Sequence, residues 1–509
     1  MITGPDTKNE THERHWFEKQ VGPCEEHLPD LMNTILNFPC RYLAPLKYLP
    51  CLCALALSGC GSIAPQHETP APVVAAQYPT FDSQQAADAA AISWRDYFTD
   101  PLLRTLIGKA LENNRDLRLA ALHVAEARAA YGIQRADLYP NIGAQAGVDR
   151  SRTPADLSMT GKPLQASQYQ VVLGLATWEI DFWGRVRSLK DAALENYLAT
   201  DSARRGASIA LVAQVANAYL TLCELEERIA LAQQTIASRT ESFRIFTRRV
   251  EVGATSRLNL TQVQTLLTQA QALGAQLEQA RAAQLNALTL LVGASPDLPP
   301  LVGKLDARNL LTALRSGLPS DLLVQRPDIL AAEHQLKAAS ANIKAARAAF
   351  FPRIALTASA GTASAELSGL FASGSQAWIF SPSISLPLFD AGRLQNNLDL
   401  AEVRRAMAVA DYAKTVQSAF RDVADALSAR HWLLEQVTIA RSGLSTQRER
   451  AHLSQLRYDN GAAAYLDVLD AQRDLLAAEQ QVVQTRRTLL SNQVSLYAAL
   501  GGGALDFPE

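Results

Sequence analysis

Cysteine and histidine, the side chains most often used for nucleophilic catalysis and zinc binding, are few in this 509-residue chain, with six and eight copies. Five of its six cysteines lie within the first 60 residues, and the sixth is Cys223. The body of the chain therefore has no second cysteine for a disulfide or a thiolate metal site. The eight histidines form no H-x-x-x-H or H-E-x-x-H motif of the kind used by zinc enzymes. We therefore expect no enzyme, no metal site and no cofactor.

Charge and composition exclude two further classes of protein. The formal net charge is −2, so the chain lacks the excess of Lys and Arg typical of nucleic-acid-binding proteins. Apolar residues make up 48% of the chain, too many for a disordered protein, while aromatic residues make up only 6%. This composition favours long helices rich in Ala, Leu and Val. The sequence predicts a folded, mainly α protein with no nucleic-acid partner.

Cys60 lies in a context that predicts a covalent modification. An apolar run at 48–57 follows Arg41 and Lys47 and leads into an L-S-G-C sequence that ends at Cys60. This pattern is typical of a secretory signal, and the run is too short to span a membrane. The L-S-G-C sequence resembles the bacterial lipobox, which implies acylation of Cys60 and, with Gly61 following, a lipid anchor (palmitate) in the outer membrane. The alternative is an ordinary cleavage site in which Cys60 is incidental.

The segments around Cys60 follow from this interpretation. Residues 1–59 are predicted to be an N-terminal extension and a signal peptide. Residues 1–31 are polar and fit no part of a signal, so we expect the true start at Met32. Residues 60–100 are predicted to be the lipidated N-terminal segment, in which four prolines within 61–80 indicate an extended tether.

The rest of the chain is a tandem duplication. Pro140 aligns with Pro352 at a shift of 212 residues, and later positions align at a shift of 208. A repeat of about 210 residues is too long for a solenoid unit, so we interpret it as a duplicated domain. We place the copies at 101–300 and 301–503, followed by a tail at 504–509.

Each copy is predicted to contain one helix, two strands and a hairpin of two very long helices. No proline occurs in 185–295 or in 388–507, and Gly253 and Gly461 interrupt the helical pattern, so they mark the hairpin tips. The stretch 185–252 would be roughly 100 Å of helix. Apolar residues recur there at intervals of three, four and seven, which indicates coiled-coil packing.

Alternating apolar and polar residues indicate the strands. They are predicted at about 139–150, 168–182, 353–362 and 377–389, with surface loops at 150–168 and 363–376. Strands of about ten residues or more are long enough to cross a membrane at a tilt. The sequence therefore predicts transmembrane strands.

Transmembrane strands require a homo-oligomer. In lipid, each unpaired backbone group at an open sheet edge costs several kcal/mol, and known barrels start at about eight strands. Two chains would give eight strands and a barrel filled by its own side chains, whereas three would give twelve and leave a lumen. The strand faces rich in Gly, Ser, Thr, Asn and Gln suit a wet interior. We infer a homotrimer that forms a channel.

Three local motifs resemble the TolC-type outer-membrane efflux proteins, in the lipoprotein branch typified by OprM and NodT. They are F-D-x-G-R at 389–393, Y-L-x-x-L-D-A-Q-R at 465–473 and L-Y-x-A-L-G-G-G at 496–503, within a resemblance that spans about 90–503. The resemblance implies a homotrimer with a 12-strand outer-membrane β-barrel, continued by a coiled-coil α-barrel across the periplasm. It also implies the exit duct of a tripartite efflux pump for small molecules. The partners implied are a periplasmic adaptor (membrane fusion) protein and an inner-membrane transporter of the resistance-nodulation-division type.

In this family, hairpin tips with Gly and small residues contact the adaptor. The matching residues here are Val252, Gly253, Ala254, Thr255, Ser256, Asn460, Gly461, Ala462 and Ala463. Ordinary turn chemistry also requires Gly at such positions, and both roles are compatible. Where TolC carries an arginine near its second tip, this chain has Ala463, so we expect no gate-locking salt bridge at that position.

Three residues after the second tip resemble the pore gate of the family: Leu466, Asp467 and Asp470. The first copy carries the neutral Asn259 and Gln262 at the positions of the two aspartates. Threefold symmetry would bring six carboxylates into a narrow ring, which attracts cations and resists joint ionisation. We expect an acidic mouth closed at rest by Leu466. The alternative is that acids early in a helix merely favour its dipole.

The family also assigns a place to the segments that flank the first copy. The segment before the first helix, Trp94 to Leu103, is expected to pack along the waist of the helical barrel. Residues 297–318, between the copies, are expected to form an equatorial belt with it.

Two other functions remain open from the residues. One is an outer-membrane duct for type I protein secretion, although the lipobox favours the efflux duct by resemblance. The other is a periplasmic coiled-coil scaffold lipoprotein without a pore, which would not need strands with one polar face.

Overall fold

The computed structural model describes residues 87–88, 92–295, 298–299, 314–315 and 326–507. The chain divides into two units, 1–65 and 66–509, and every described residue belongs to the second. The predicted signal peptide, Cys60 and most of the predicted belt at 297–318 lie outside the described residues.

Three helices precede the first strand: α1 (Trp94–Tyr97), α2 (Pro101–Asn113) and α3 (Arg115–Ala136). The one helix predicted here is therefore divided at Asn114. The backbone of Asn114 is extended, and its side-chain oxygen accepts the N–H of Leu117 at 2.9 Å to cap α3. Its side-chain nitrogen donates to the carbonyl of Leu291 at 2.9 Å. This contact fixes the break against the far end of the first hairpin.

Four strands form one antiparallel sheet in sequence order. They are β1 (Ile142–Thr153), β2 (Leu164–Glu179), β3 (Arg353–Ser364) and β4 (Gln376–Ser385). The pairing of β2 with β3 joins the two copies and contains an irregularity between Leu175 and Trp178. Among the described residues, no strand pairs with the outer edge of β1 or of β4. A separate two-residue parallel pair joins 87–88 to 314–315.

The loops at one end of the sheet are shorter than predicted. β1 and β2 pair as far as Thr153 opposite Leu164, so the loop between them spans 154–163. β3 likewise continues to Ser364, and the next loop spans 365–375. The prediction stopped where the side chains became polar, but the hydrogen bonds of a ladder come from the backbone.

The other ends of the strands also differ from the prediction. β2 stops at Glu179 because the Asp181 carboxylate accepts the N–H groups of Val186 and Arg187, at 3.1 and 2.9 Å, and so starts the next helix. β4 stops at Ser385 because Pro387 has no N–H to continue the ladder. β1 begins at Ile142 rather than at 139.

Within the described ranges, five α-helices follow the first strand pair. They are α4 (Arg185–Glu251), α5 (Arg257–Val292), α6 (Pro327–Ala348), α7 (Arg393–Asp459) and α8 (Tyr465–Ala499). Helices α4 and α7 have 67 residues each, which corresponds to roughly 100 Å. Both follow a glycine with positive φ, Gly184 or Gly392. All these long helices begin or end at the sheet or at a hairpin tip.

The largest apolar core lies midway along the long helices. It joins buried residues of α1 and α2 to those of α4 to α8, and includes Val215 and Tyr219 of α4 and Val423 of α7. Val215 and Tyr219 belong to the apolar residues that recur along 185–252 at intervals of three, four and seven. An apolar window of α4 is long enough to cross a membrane, but 61% of it is buried in the chain. A core helix passes the same test, so this window is weak evidence for a membrane span.

The C-terminal glycines 501–503 close this core around an aromatic stack. The rings of Tyr97 and Tyr497 stack at 4.2 Å, and their hydroxyls donate to the carbonyls of Gln493 and Ile92. Burial raises the pKa of both tyrosines well above the usual value, so both hydroxyls stay protonated as donors. A Cβ at Gly502 would lie 2.3 Å from the ring of Tyr497.

We predict that Gly502→Ala destabilises the protein by about 1–3 kcal/mol, because the added methyl group displaces the Tyr497 ring. Urea unfolding followed by circular dichroism in detergent measures the loss. Gly443→Ala is the matched control, since Gly443 lies within α7 with no atom near its missing Cβ. This control should be neutral or stabilising by about 0.5–1 kcal/mol. Equal stability of the two variants would contradict the packing role of Gly502.

Candidate functional site

The register of the sheet places apolar side chains on one face of all four strands, which we call the apolar face. Its members are Ile142, Ala144, Ala146, Val148, Tyr169, Val171, Leu173, Leu175, Ile354, Leu356, Ala358, Ala360, Trp378, Phe380, Pro382 and Ile384. Many of the large side chains are open to solvent in the single chain: Leu173 is 63% exposed and Trp378 is 77% exposed. A contiguous apolar surface of this kind marks contact with lipid or with another protein.

The opposite face, which we call the polar face, carries mainly small and polar side chains. They include Gln145, Gly147, Asp149, Gln168, Gln170, Gly174, Thr357, Ser359, Gly361, Ser381 and Ser383. Leu164, Val172 and Ile379 are the large apolar exceptions. An apolar face opposite a polar face is the pattern of a barrel wall between lipid and water.

The two hairpin tips have the same backbone construction. Gly253 and Gly461 adopt left-handed φ values of 74° and 72°. The next residue donates to the carbonyl five residues back, from Ala254 to Arg249 at 2.7 Å and from Ala462 to Arg457 at 2.8 Å. This is the Schellman end of a helix, which needs a residue without a Cβ at the left-handed position. The sequence-predicted tip residues therefore lie together at the ends of two hairpins.

The tips leave small side chains exposed and cap the helices that follow. Val252 is 61% exposed, and the Ser256 hydroxyl accepts the N–H of Asn259 to begin α5. The Asn259 amide also donates to the Thr255 hydroxyl at 3.1 Å. In the second tip the corresponding positions hold Ala463 and Asp467, so this contact has no counterpart.

The hairpins are joined just above their tips by an aromatic cluster. Phe246 of α4 packs against Tyr465 of α8, with ring centroids 4.3 Å apart, and both lie beside the buried Leu469. Arg249 donates to the hydroxyl of Tyr458 on α7, and its guanidinium lies over the rings of Phe246 and Tyr458. The sequence analysis missed this junction, because its residues are about 200 positions apart and no local pattern relates them.

The three predicted gate residues lie on the first turns of α8. Leu466 is 45% exposed and Asp467 is exposed, whereas Val468 and Leu469 between the two aspartates are buried. Asp470 forms an ion pair with Arg473 at 3.4 Å. In the single chain, Leu466, Asp467 and Asp470 therefore lie on the same side of the first turns of α8. The side chain of Leu466 is partly open to solvent.

A chain of charges continues from the gate residues along α8. Arg473 also pairs with Asp474, which accepts a hydrogen bond from Arg450 of α7 at 2.6 Å. The Arg450 hydrogen bond holds the pKa of the Asp474 carboxyl below its usual value. The sequence analysis did not identify Arg450 or Arg473. Acidic and basic residues three or four positions apart on α8 could have indicated the ion pair of Arg473.

A second polar group, buried between α4 and α8, links the two hairpins at mid-length. Glu224 accepts from Arg228 at 2.9 Å and from Arg487 at 2.8 Å. Glu227 and Arg486 form a neighbouring pair at 3.0 Å, with side chains only 10% and 8% exposed. Removing one partner would leave a buried charge uncompensated, so this group fixes the register of α4 on α8.

Neither hairpin offers a metal site. Within the described ranges, no group of three or more His, Cys, Asp or Glu side chains is placed to hold a metal ion. The described site therefore consists of a two-faced sheet and two linked hairpins.

Comparison with known proteins decides the family. The sequence profile of the family described as outer membrane efflux protein matches residues 106–294 and 318–502. The chain belongs to the outer membrane efflux protein family. The two matched segments follow the internal duplication, one for each copy. This family is a class of channels and not a class of enzymes.

Named relatives agree with this assignment. The chain is 45% identical over 469 residues to the solvent efflux pump outer membrane protein SrpC of Pseudomonas putida, covering 90% of this chain and 98% of SrpC. It is 44% identical to the outer membrane protein OprJ of Pseudomonas aeruginosa, covering 89% of this chain and 95% of OprJ.

Solved structures agree as well. A membrane protein from Pseudomonas aeruginosa superimposes with a TM-score of 0.81 at 44% identity, covering 87% of this chain and 98% of that one. The open state of the MtrE outer membrane channel from Neisseria gonorrhoeae gives 0.80 at 39% identity, with the same coverage. The predicted membership of the TolC-type efflux proteins and the predicted role of an efflux outer-membrane protein are confirmed. The mainly helical fold with a small sheet is confirmed too.

Proposed function

We propose that this protein is the homotrimeric outer-membrane exit duct of a tripartite efflux pump for small molecules. The observation that carries the proposal is the four-stranded sheet with one apolar face, one polar face and two open edges. Such a sheet cannot stand alone in lipid, because the unpaired backbone groups of β1 and β4 would cost several kcal/mol each.

Pairing β1 of one copy with β4 of the next removes both edges. Three copies supply twelve strands and a lumen lined by the polar face, whereas two supply eight strands and a filled barrel. We therefore propose a 12-strand transmembrane barrel with the apolar face toward lipid.

The hairpins extend from the end of the sheet opposite its loops, so we place them in the periplasm. Their length of roughly 100 Å suits a coiled-coil α-barrel that spans this space. The exposed small residues at both tips permit close approach of an adaptor protein, which would connect the duct to an inner-membrane transporter of the resistance-nodulation-division type. Relatives named for efflux of solvent or toluene support small molecules as cargo.

The proposed gate lies at the periplasmic mouth. In a trimer, Asp467 and Asp470 of three copies would form an acidic ring, and Leu466 would meet its symmetry mates at the axis. In this arrangement the ring binds cations, and the packing of Leu466 holds the resting mouth closed.

A cell-based efflux assay tests the duct. In a strain that lacks its own outer-membrane duct but retains adaptor and transporter, we predict that the wild-type chain lowers the accumulation of a fluorescent substrate. Crosslinking in detergent should give a trimer. Ala254→Trp combined with Ala462→Trp should leave the trimer intact yet raise accumulation to that of the empty strain, because bulky tips exclude the adaptor.

Ser158→Trp, in the loop at 154–163, is the matched control and should retain efflux. A monomeric wild-type chain would contradict the duct and favour a scaffold. A trimer that exports a secreted protein but no small molecule would favour type I secretion.

Single-channel recording tests the acidic gate. Asp467→Ala with Asp470→Ala should raise conductance and weaken block by divalent cations about tenfold or more, because the ring loses its six charges. Asn259→Ala with Gln262→Ala changes the equivalent positions of the first copy and should leave divalent block unchanged. Unchanged conductance and block in the aspartate variant would exclude the ring.

We also propose that Cys60 carries the lipid anchor. Growth with labelled palmitate should label the wild-type protein and Cys53→Ser, but not Cys60→Ser, because lipobox processing acylates the cysteine at the cleavage site. Label on Cys60→Ser, or none on the wild type, would contradict the anchor.

A further inference from the structure

The apolar face becomes basic at the loop end of the sheet. Arg150 and Arg152 occupy the next two positions of this face after Val148, opposite Ser167 and Gln165. Successive residues on one face of a strand are about 7 Å apart. Arg150 and Arg152 therefore lie just beyond the apolar residues of β1, at the end of the strand farthest from the helices. Both residues are exposed.

Arg150 is held in place by a neighbour on the same face. Its Nη2 donates to the Tyr169 hydroxyl at 2.6 Å, and its guanidinium carbon lies 6.0 Å from the centre of that ring. This contact leaves the other guanidinium nitrogens of Arg150 open to a further acceptor. Tyrosine at the end of a transmembrane strand is typical of a membrane interface, where its ring contacts acyl chains and its hydroxyl contacts headgroups.

The positive charge of this cluster is not compensated within the described part of the chain. No ion pair among the described residues includes Arg150 or Arg152. Asp149, the adjacent acid, lies on the polar face because neighbouring strand residues point to opposite sides. Among the strand residues of this face, the cluster presents two arginines and one tyrosine and no carboxylate.

We propose that Arg150, Arg152 and Tyr169 bind the phosphate of an anionic lipid headgroup in the outer leaflet of the membrane. The inference rests on the proposed function, which places the apolar face in lipid and the loop end outside. Arginine presents paired donors that match the oxygens of a phosphate, and the interface strengthens this attraction. Val148 and Val171 lie beside the cluster on the same face, so the acyl chains of a bound lipid have an apolar surface to cover. A free phosphate ion would make no use of that surface.

Native mass spectrometry of the full-length oligomer in detergent tests the site. The probes are an acylated disaccharide lipid with two phosphates, the same lipid without phosphates, and inorganic phosphate at equal concentration. We expect the phosphorylated lipid to bind and the other two to bind far more weakly. Arg150→Gln with Arg152→Gln should weaken its binding roughly thirtyfold.

Three variants serve as comparisons. Arg118→Gln with Arg257→Gln removes two exposed arginines outside the sheet and should not change lipid binding. Arg150→Lys with Arg152→Lys keeps the charge but loses the paired donors, and should bind more weakly than the wild type and more strongly than the glutamine variant. Tyr169→Phe removes the hydroxyl that positions Arg150 and should give an intermediate loss.

Equal binding by the wild type and the glutamine variant, or equal binding of the two lipids, would overturn the proposal. Strong binding of inorganic phosphate alone would also overturn it, by indicating a free-anion site. Failure of the lipid site can be distinguished from failure of the proposed function. A wild-type chain that forms no trimer refutes the duct. A trimeric channel whose glutamine variant binds the lipid as well as the wild type refutes the lipid site alone.

Discussion

Backbone hydrogen bonding at the two open edges of the sheet is the constraint on which the rest of the structure depends. β1 and β4 each pair on one side only within the described chain. Apart from Asp149, Arg150 and Arg152 at the loop end of β1 and Pro382 in β4, these edges lack the features that protect edge strands in water. In lipid these edges must be closed by other copies, and closure fixes the symmetry of everything attached to the strands. In the proposed trimer the helices would share this symmetry, because α3, α4, α6 and α7 each meet a strand end within a few residues.

The duplication builds the four-stranded sheet and its helices from two similar parts. Each copy supplies one strand pair and one long hairpin, and the β2–β3 pairing joins the pairs into a continuous sheet. The same junction must hold along the hairpins, where α8 packs against α4. It is secured at three levels: by the apolar core and the Tyr97–Tyr497 stack, by the buried ion pairs of Glu224 and Glu227, and by the aromatic cluster at Phe246. Apolar packing provides the stability, and the buried charges fix the register.

Much of this fold could be predicted from periodicity alone. A period of two in the strands, a period of seven in the helices, and glycines at both tips are local features, so they appear in the sequence without any knowledge of contacts. The strand ends and the break at Asn114 could not be placed, because they depend on backbone pairing and on caps such as Asp181. The contact of Arg249 with Tyr458 was missed for a different reason. Exposed arginines are usually solvated, and only the approach of the two hairpins brings a tyrosine to this one.

The two copies differ in charge where they would meet at the axis of the proposed trimer. In the first copy Asn259 is neutral, and its amide is used locally to bond Thr255. In the second copy Asp467 has no such partner, and Asp470 shares Arg473 with Asp474. Placing acids at both tips would double the number of carboxylates around one narrow mouth, and like charges at short range raise each other's pKa and oppose closure. In the proposed trimer, confining the acids to one copy and placing Arg473 nearby would limit that repulsion while keeping an attractive field for cations. The duplication therefore provides the scaffold twice, but the acidic residues proposed for the gate once.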